Sequence, residues 1–253
     1  MIPAEQPLEE TRFTRFAKAR LDRFLSTRSV LTAVQPMVDL ESSDLVGHEL
    51  LARPRNTGGA QTARSLLQIA ESQGLAAELS RRLRAEGLAK TAHRVVPGRL
   101  FLNTHPAELE RPHNLVASLR ELVETYPDLE LTVEIPEQAP LDLDAYVELR
   151  RQLRSLGIGV AFDDFGTGHS RLLELAAAPP DYVKFARRMV TGIDRQVRFR
   201  KRVLLRVIEF IHAIGALPIA VGVETAGELA ACRDLGFTWA QGFLVGRPWT
   251  VAV

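Results

Sequence analysis

Cys232 is the only cysteine in this chain, which excludes an intrachain disulfide framework and any zinc site built on thiolates. No charge sign is in excess. Lys and Arg number 32 against 31 Asp and Glu, so a net charge of +1 gives no global attraction to an acidic partner, and DNA binding is not expected. No apolar run is long enough to span a bilayer, so no transmembrane segment is expected. There is no low-complexity tract and no long linker. The N-terminal MIPAEQPLEE is acidic and carries prolines, unlike a secretory signal. These absences read as a cytoplasmic protein. The 253 residues, 46% hydrophobic and 25% charged, suit one large globular domain, a common size for α/β barrels.

What is present begins with ETRFTRFAKARLDRFLSTR, residues 10 to 28. Phe13, Phe16, Leu21, Phe24 and Leu25 fall on one face at helical spacing, and the other face is rich in Arg and Lys. We read residues 1–29 as an N-terminal extension with an amphipathic helix, and 30–253 as the domain proper. The helix is a candidate contact for a second subunit or a protein partner.

From there strand-like and helix-like runs alternate. LTAVQPMVDL and LVGHELLARP read as strands joined by the turn ESSD. A long helical stretch covers residues 63–92. RLFLNT, LELTVEI, IGVAFDDF, DYVKFA, LPIAVGVE and FTWAQGFLV then read as strands separated by helices. Repeated β-then-α order predicts a largely parallel sheet, and the number of strands favours a closed barrel. The first connection is too short for a parallel crossover, so one strand should run antiparallel.

The ends of these strands share one chemistry. Glu49, Asn103, Glu134, Asp163, Asp164, Lys184, Glu224 and Gln241 all fall at or near strand C-termini, the rim where α/β barrels place their sites. One acid there is an ordinary cap or turn residue. Five carboxylates on one rim would repel one another strongly, and hard divalent cations such as Mg²⁺ or Mn²⁺ relieve that repulsion. Two such ions can clamp the attacking and leaving oxygens of a phosphoryl transfer.

The order of these motifs resembles the EAL domain, a family of bacterial cyclic di-GMP phosphodiesterases, from about Thr32 to the C-terminus. The signature stands here as Glu49-Leu50-Leu51 with Arg53 after it, preceded by QPMVDL. FLNTHPAEL, VEIPE, FDDFGTGHSRL, VKFA, AVGVET and QGFLVGRP follow in the family's order. The resemblance implies a modified TIM (β/α)₈ barrel with one antiparallel strand. It implies metal ligation, by one or two Mg²⁺ or Mn²⁺ ions, through Glu49, Asn103, Glu134, Asp163 and Asp164. Lys184 would hold the attacking water, and Glu224 and Gln241 would complete the metal and substrate shell. Gln35 and Arg53 would contact cyclic di-GMP, and Glu137 would hold the loop carrying the two aspartates. The implied reaction is metal-dependent hydrolysis to linear pGpG, and the implied assembly is a homodimer.

Four positions depart from the family pattern. Val221 stands where the family has a glutamate often assigned as general base. Pro136 replaces a threonine, Ala186 an aspartate, and Leu50 the signature alanine. The first is the serious one, because valine cannot take a proton. The expectation is weak turnover; the alternative is a catalytically inactive cyclic di-GMP receptor or a protein-interaction module. Among the remaining residues, His48 should point away from Glu49 by strand alternation. His105 and His169 read as solvated loop residues, and Trp239 and Phe243 as core. Cys232 reads as buried and inert.

Overall fold

The computed structural model describes residues 30–54, 63–92, 96–168 and 171–251. The basic helix expected over residues 10–28, and His169, lie outside them.

Eight strands close a mixed barrel: β1 (Val30–Asp39), β2 (Leu45–Pro54), β3 (Arg99–Asn103), β4 (Leu131–Pro136), β5 (Gly159–Phe165), β6 (Tyr182–Phe185), β7 (Leu217–Val221) and β8 (Trp239–Gln241). Neighbours from β2 to β8 are parallel. β1 is antiparallel to both β2 and β8 and closes the ring. The short first connection forces that reversal, as expected. Asp39 stabilises the turn by accepting hydrogen bonds from the amides of Glu41 and Ser42, and Ser43 takes a positive φ of 66°. The stretch FTWAQGFLV forms a strand only over Trp239–Gln241. A two-residue strand, β9 (Trp249–Thr250), adds to β1 and was not expected.

The helices lie outside: α1 (Ala63–Glu71), α2 (Ala76–Ala92), α3 (Pro106–Leu109), α4 (Pro112–Thr125), α5 (Leu143–Ser155), α6 (Leu172–Ala177), α7 (Arg187–Val190), α8 (Arg198–Ala213) and α9 (Ala226–Asp234). Residues 63–92 form two helices rather than the single one their composition suggests. Gly74 adopts φ +67°, and the Gly74 and Leu75 amides return to the carbonyls of Glu71 and Ala70. That is a Schellman stop, which only a residue free to turn left-handed forms cheaply. The periodicity on either side hid it.

Strand alternation sorts each strand into an outer and an inner face. Leu100, Leu102, Val133, Ile135, Val160, Phe162, Val183 and Phe185 face outward and pack against the helices. Met37, Phe101, Ala161, Tyr182 and Ile219 point inward and fill the lower barrel. The rings of Phe101 and Tyr182 meet there at 5.1 Å, and those of Tyr182 and Trp239 at 4.9 Å. Leu50, the large residue in the signature, points outward onto α2, where Gly87 makes room. A Cβ on Gly87 would lie 2.6 Å from a Leu50 methyl. Gly87→Ala is therefore expected to destabilise by ~1–3 kcal/mol through overpacking. In a double-mutant cycle with Leu50→Ala the two costs should fall short of their sum; additive urea-unfolding energies would disprove this contact's role.

Candidate active site

Two residues beyond four of the inward apolar residues stands a polar one. Asn103 follows Phe101, Asp163 follows Ala161, Lys184 follows Tyr182, and Gln241 follows Trp239. The period of two lifts all of them to a single upper layer at the strand C-termini. Glu49 and Glu134 join that layer from β2 and β4. Val221 joins it from β7, two residues after Ile219 and in register with Gln241, as its apolar member.

Lys184 sits at the centre. Its ammonium donates to Glu49 at 3.0 Å and to Glu134, and lies 3.5 Å from Asp163. Glu49 also accepts from the side-chain amides of Asn103 and Gln241, each at 2.9 Å. The cluster is buried, with Lys184, Glu134 and Gln241 each 1% exposed. Burial alone would lower the Lys184 pKa, but the charges of Asp163, Glu134 and Glu49 together outweigh it and hold the ammonium well above its ordinary value. Lys184 is therefore no proton acceptor in this arrangement. Burial, then the charge of Glu49, pushes the Glu134 carboxyl well above the usual range. Glu49 goes the other way. Burial would raise it, yet Lys184 and the amide donors hold it below its ordinary value. Asp163 is raised, chiefly by burial.

The two adjacent aspartates do not share one environment. β5 loses its register with β6 between Phe162 and Phe165, and Asp164 adopts a left-handed φ of 54°. Asp163 consequently turns into the barrel and Asp164 out to the exposed rim. Glu137 braces the loop that follows. Its carboxylate accepts from the amides of Gly166 at 3.1 Å, Thr167 at 2.6 Å and Gly168 at 2.9 Å, and from the Thr167 hydroxyl at 2.7 Å. Burial opposes these bonds, but together they keep its pKa lowered. Their stabilisation is complete above the ordinary glutamate pKa and fades as pH falls through the lowered value. Glu137→Ala removes bonds worth ~1.5–3 kcal/mol each to a charged acceptor. The amides of 166–168 should then exchange hydrogen at least ~10-fold faster, and unchanged protection would refute this brace.

The other expected residues are dispersed. Gln35, in register with Glu49, donates to the Gly246 carbonyl at 3.2 Å. Arg53 is exposed on β2 and shares a groove with Glu49, Asn103 and Lys90. Glu224 stands outside the lysine cluster and pairs with Arg187 at 2.8 Å. His48 is buried with its Nδ1 3.1 Å from the Pro97 carbonyl, as alternation predicts, and Cys232 is buried with its thiol pushed up to about 12 by burial. His105 is not a solvated loop residue. It caps α3, accepting from the Ala107 amide at 3.2 Å, and its other nitrogen lies 3.1 Å from Glu71. Phe243 is not core either: it is 46% exposed, with the Arg247 guanidinium over its ring at 4.5 Å.

Three supports escaped the sequence reading. Thr104 donates to the Glu134 carbonyl at 2.6 Å. Arg84 forms a buried two-pronged pair with Glu108 and also donates to the Asn103 carbonyl at 3.2 Å. Arg171 donates to the carbonyls of Glu137 and Ala139. None has a local signature, because each partner lies some thirty or so residues away or closer along the chain without a regular spacing. A fourth was legible: Thr225-x-x-Glu228 is a capping box, and it starts α9 just after Glu224.

Among the described residues, no three His, Cys, Asp or Glu side chains are arranged to hold a metal ion as they stand. Lys184 lies between the carboxylates instead. The donor set nevertheless fits a hard cation. Three carboxylates face one ammonium, and two buried acceptor oxygens, Glu134 Oε2 and Gln241 Oε1, have no hydrogen-bond partner. Buried acceptors left so are rare and costly unless a cation or water meets them.

A closed barrel with one reversed strand and its polar layer at the strand ends is a modified TIM barrel, whose function resides on that rim. The chain belongs to the EAL domain family, whose model matches residues 18–248. It is 32% identical over 222 residues to the cyclic di-GMP phosphodiesterase RocR of Pseudomonas aeruginosa, covering 85% of this chain and 56% of that protein. The chain thus spans less than two thirds of the length of such curated relatives, 43% in the case of the probable cyclic di-GMP phosphodiesterase PdeN of Escherichia coli, to which it is 30% identical over 85% of its own length. Among solved structures, the PaMucR phosphodiesterase in complex with c-di-GMP superposes with a TM-score of 0.80 at 26% identity, covering 91% of this chain and 96% of that one. Among the described residues no helix is long and apolar enough to cross a membrane.

Proposed function

We propose that the upper layer of the barrel binds cyclic di-GMP and hydrolyses it weakly to linear pGpG with a divalent metal. The observation that carries this reading is the lysine-centred cluster of Glu49, Glu134 and Asp163, an excess of carboxylate with unpartnered buried oxygens. Glu49, Asn103, Glu134, Asp163 and Asp164 would hold Mg²⁺ or Mn²⁺. Such an ion, when bound, neutralises developing charge on the phosphoryl oxygens and lowers the pKa of water. Arg53, whose planar fork matches a phosphate, and Gln35 hold the dinucleotide. Lys184 holds the water by donating to it, and Gln241 and Glu224 complete the shell. Glu137 keeps the loop of Asp163 and Asp164 in place.

Hydrolysis adds water across one P–O bond, so the water must lose a proton as its oxygen attacks phosphorus. A general base supplies roughly 10²–10⁴-fold in rate. Val221 occupies the inward position on β7 and accepts no proton, and Lys184 keeps its own. Pro136 and Ala186 further thin the polar rim. The same Val221 favours a second reading, a receptor that holds cyclic di-GMP without cutting it. In this reading the domain covers 30–253 with residues 1–29 as an extension, and the homodimer implied by the resemblance belongs to the same proposal; sedimentation reads the dimer directly.

The test is calorimetry of the purified chain with cyclic di-GMP and Mn²⁺ or Mg²⁺, with chromatography for pGpG. Binding with slow, metal-dependent product supports the proposal. Binding with no product over many hours leaves the receptor reading. Absence of binding defeats both.

A further inference from the structure

A buried ion pair stands directly behind the rim. The side chains of Arg84 on α2 and Glu108 on α3 are 2% and 1% exposed, and two guanidinium nitrogens donate to the two carboxylate oxygens at 3.1 and 2.7 Å. The same guanidinium donates to the Asn103 carbonyl at 3.2 Å and to the Ser118 hydroxyl of α4 at 3.4 Å. Glu108 in turn accepts from the His105 amide at 3.2 Å. The pair therefore grips the chain at both ends of the segment Asn103-Thr104-His105, where β3 hands over to α3. Gly87, one turn further along α2, brings that helix close to β2, since a Cβ there would strike Leu50.

Stability alone is a poor reason for such a pair. Well-packed apolar residues often replace a buried ion pair at no cost. Here one donor is also left over: among the described residues, the buried Arg84 Nε has no hydrogen-bond partner. What the guanidinium does that an apolar side chain cannot is fix a carbonyl. Asn103 ends β3 in register with Glu134, and the next residue, Thr104, donates to the Glu134 carbonyl at 2.6 Å. One continuous network thus fixes the backbone of two candidate metal ligands. The Asn103 side chain is oriented as well. Its Nδ2 donates to Glu49 at 2.9 Å and to the Leu50 carbonyl at 3.4 Å. That leaves Oδ1, the atom a hard cation takes from an asparagine, without a hydrogen bond among the described residues.

We propose that Arg84, locked by Glu108, is a positioning residue for the metal site: it holds the Asn103 backbone so that Oδ1 stays available to a divalent cation beside Glu49 and Glu134. This inference rests on the proposed function and deepens it, because it names a residue behind the rim that sets the affinity for the ion. Groups that hold a ligating side chain from behind typically govern metal affinity by about 10–100-fold. Arg84 belongs to α2, outside the barrel, whereas Arg53 and Gln35 are the residues placed on the dinucleotide. Loss of the pair should therefore weaken the metal and spare the nucleotide.

Two variants of the full chain test this. Arg84→Met combined with Glu108→Leu removes both charges while keeping apolar bulk, and should unfold at a urea concentration close to that of the unmodified chain. Arg84→Lys leaves Glu108 with a cation, so it folds even if the double variant does not, but one ammonium does not reproduce the guanidinium fork. In the presence of a chelator, the backbone amides of 103–105 should exchange hydrogen at least ~10-fold faster in both variants. Mn²⁺, titrated by electron paramagnetic resonance, should bind both ~10–100-fold more weakly than it binds the unmodified chain. The Mn²⁺ concentration that gives half-maximal pGpG formation should rise by the same factor, with the KM for cyclic di-GMP at saturating Mn²⁺ unchanged. A purely structural pair would alter unfolding and leave the Mn²⁺ affinity of the folded variants untouched. Folded variants that bind Mn²⁺ as tightly as the unmodified chain, or that keep 103–105 equally protected, overturn the inference and leave the proposed function standing. An unmodified chain that binds no Mn²⁺ defeats the proposed metal site, and this inference with it.

Discussion

Val221→Glu is expected to raise the rate of pGpG formation by about 10²–10⁴-fold, the usual worth of a general base. The side chain at 221 lies on the inward face of β7, in register with Gln241 and packed above Ile219. A carboxylate there reaches the same upper layer as Glu49, Glu134 and Asp163. It adds one more negative charge to a layer already held by Lys184, so it should also strengthen the demand for a divalent cation. Val221→Gln is the control, since it brings a similar shape and polarity but takes no proton. That variant should remain as slow as the unmodified chain while binding cyclic di-GMP. Initial rates by chromatography, with calorimetry beside them, separate the outcomes. If Val221→Glu binds metal and nucleotide and turns over no faster, Val221 is not what limits this chain.

Lys184→Met should destabilise the metal-free protein by ~3–5 kcal/mol, the cost of leaving buried charge without its partner. Methionine keeps the length and removes the ammonium, so packing changes little. Glu49, Glu134 and Asp163 are then left facing one another across the barrel, where Lys184 now lies 3.0 Å from the first and 3.5 Å from the last. Urea unfolding in the presence of a chelator measures the loss. Mn²⁺ should restore more stability to the variant than to the unmodified chain, because the ion relieves the same repulsion that the lysine did. A loss below ~0.5 kcal/mol, the size of an ordinary surface change, would show that the lysine does not hold the cluster together. No stabilisation by Mn²⁺ in either protein would count against metal binding by these carboxylates.

Much of the rim was legible because strand alternation is a strict rule. Once RLFLN, GVAFDD and DYVK are strands, Asn103, Asp163 and Lys184 must share a face with Phe101, Ala161 and Tyr182. The closed barrel then brings those faces together. The same rule placed His48 outward, and the short ESSD turn revealed the antiparallel strand. What failed were local guesses about environment. His105 became a helix cap because α3 starts directly after it. Phe243 is exposed because β8 ends at Gln241 instead of continuing through FLV. The long helix over 63–92 broke at Gly74, where a single left-handed residue overrode the periodicity around it.

By itself the sequence determined the alternation of strands and helices, the reversed first strand, the family, and the chemical identity of every residue on the rim, Val221 included. The family follows from a resemblance in the order of its motifs, and the rest from local periodicity, loop length or residue type. Only the tertiary structure decided that Lys184 binds three carboxylates at once, that Asp163 and Asp164 diverge at a break in register, and that Leu50 fits because Gly87 lacks a side chain. It also decided that Glu224 pairs with Arg187 outside the cluster. These are contacts between segments distant in sequence, and their energies depend on burial and separation, which exist only once the barrel has closed.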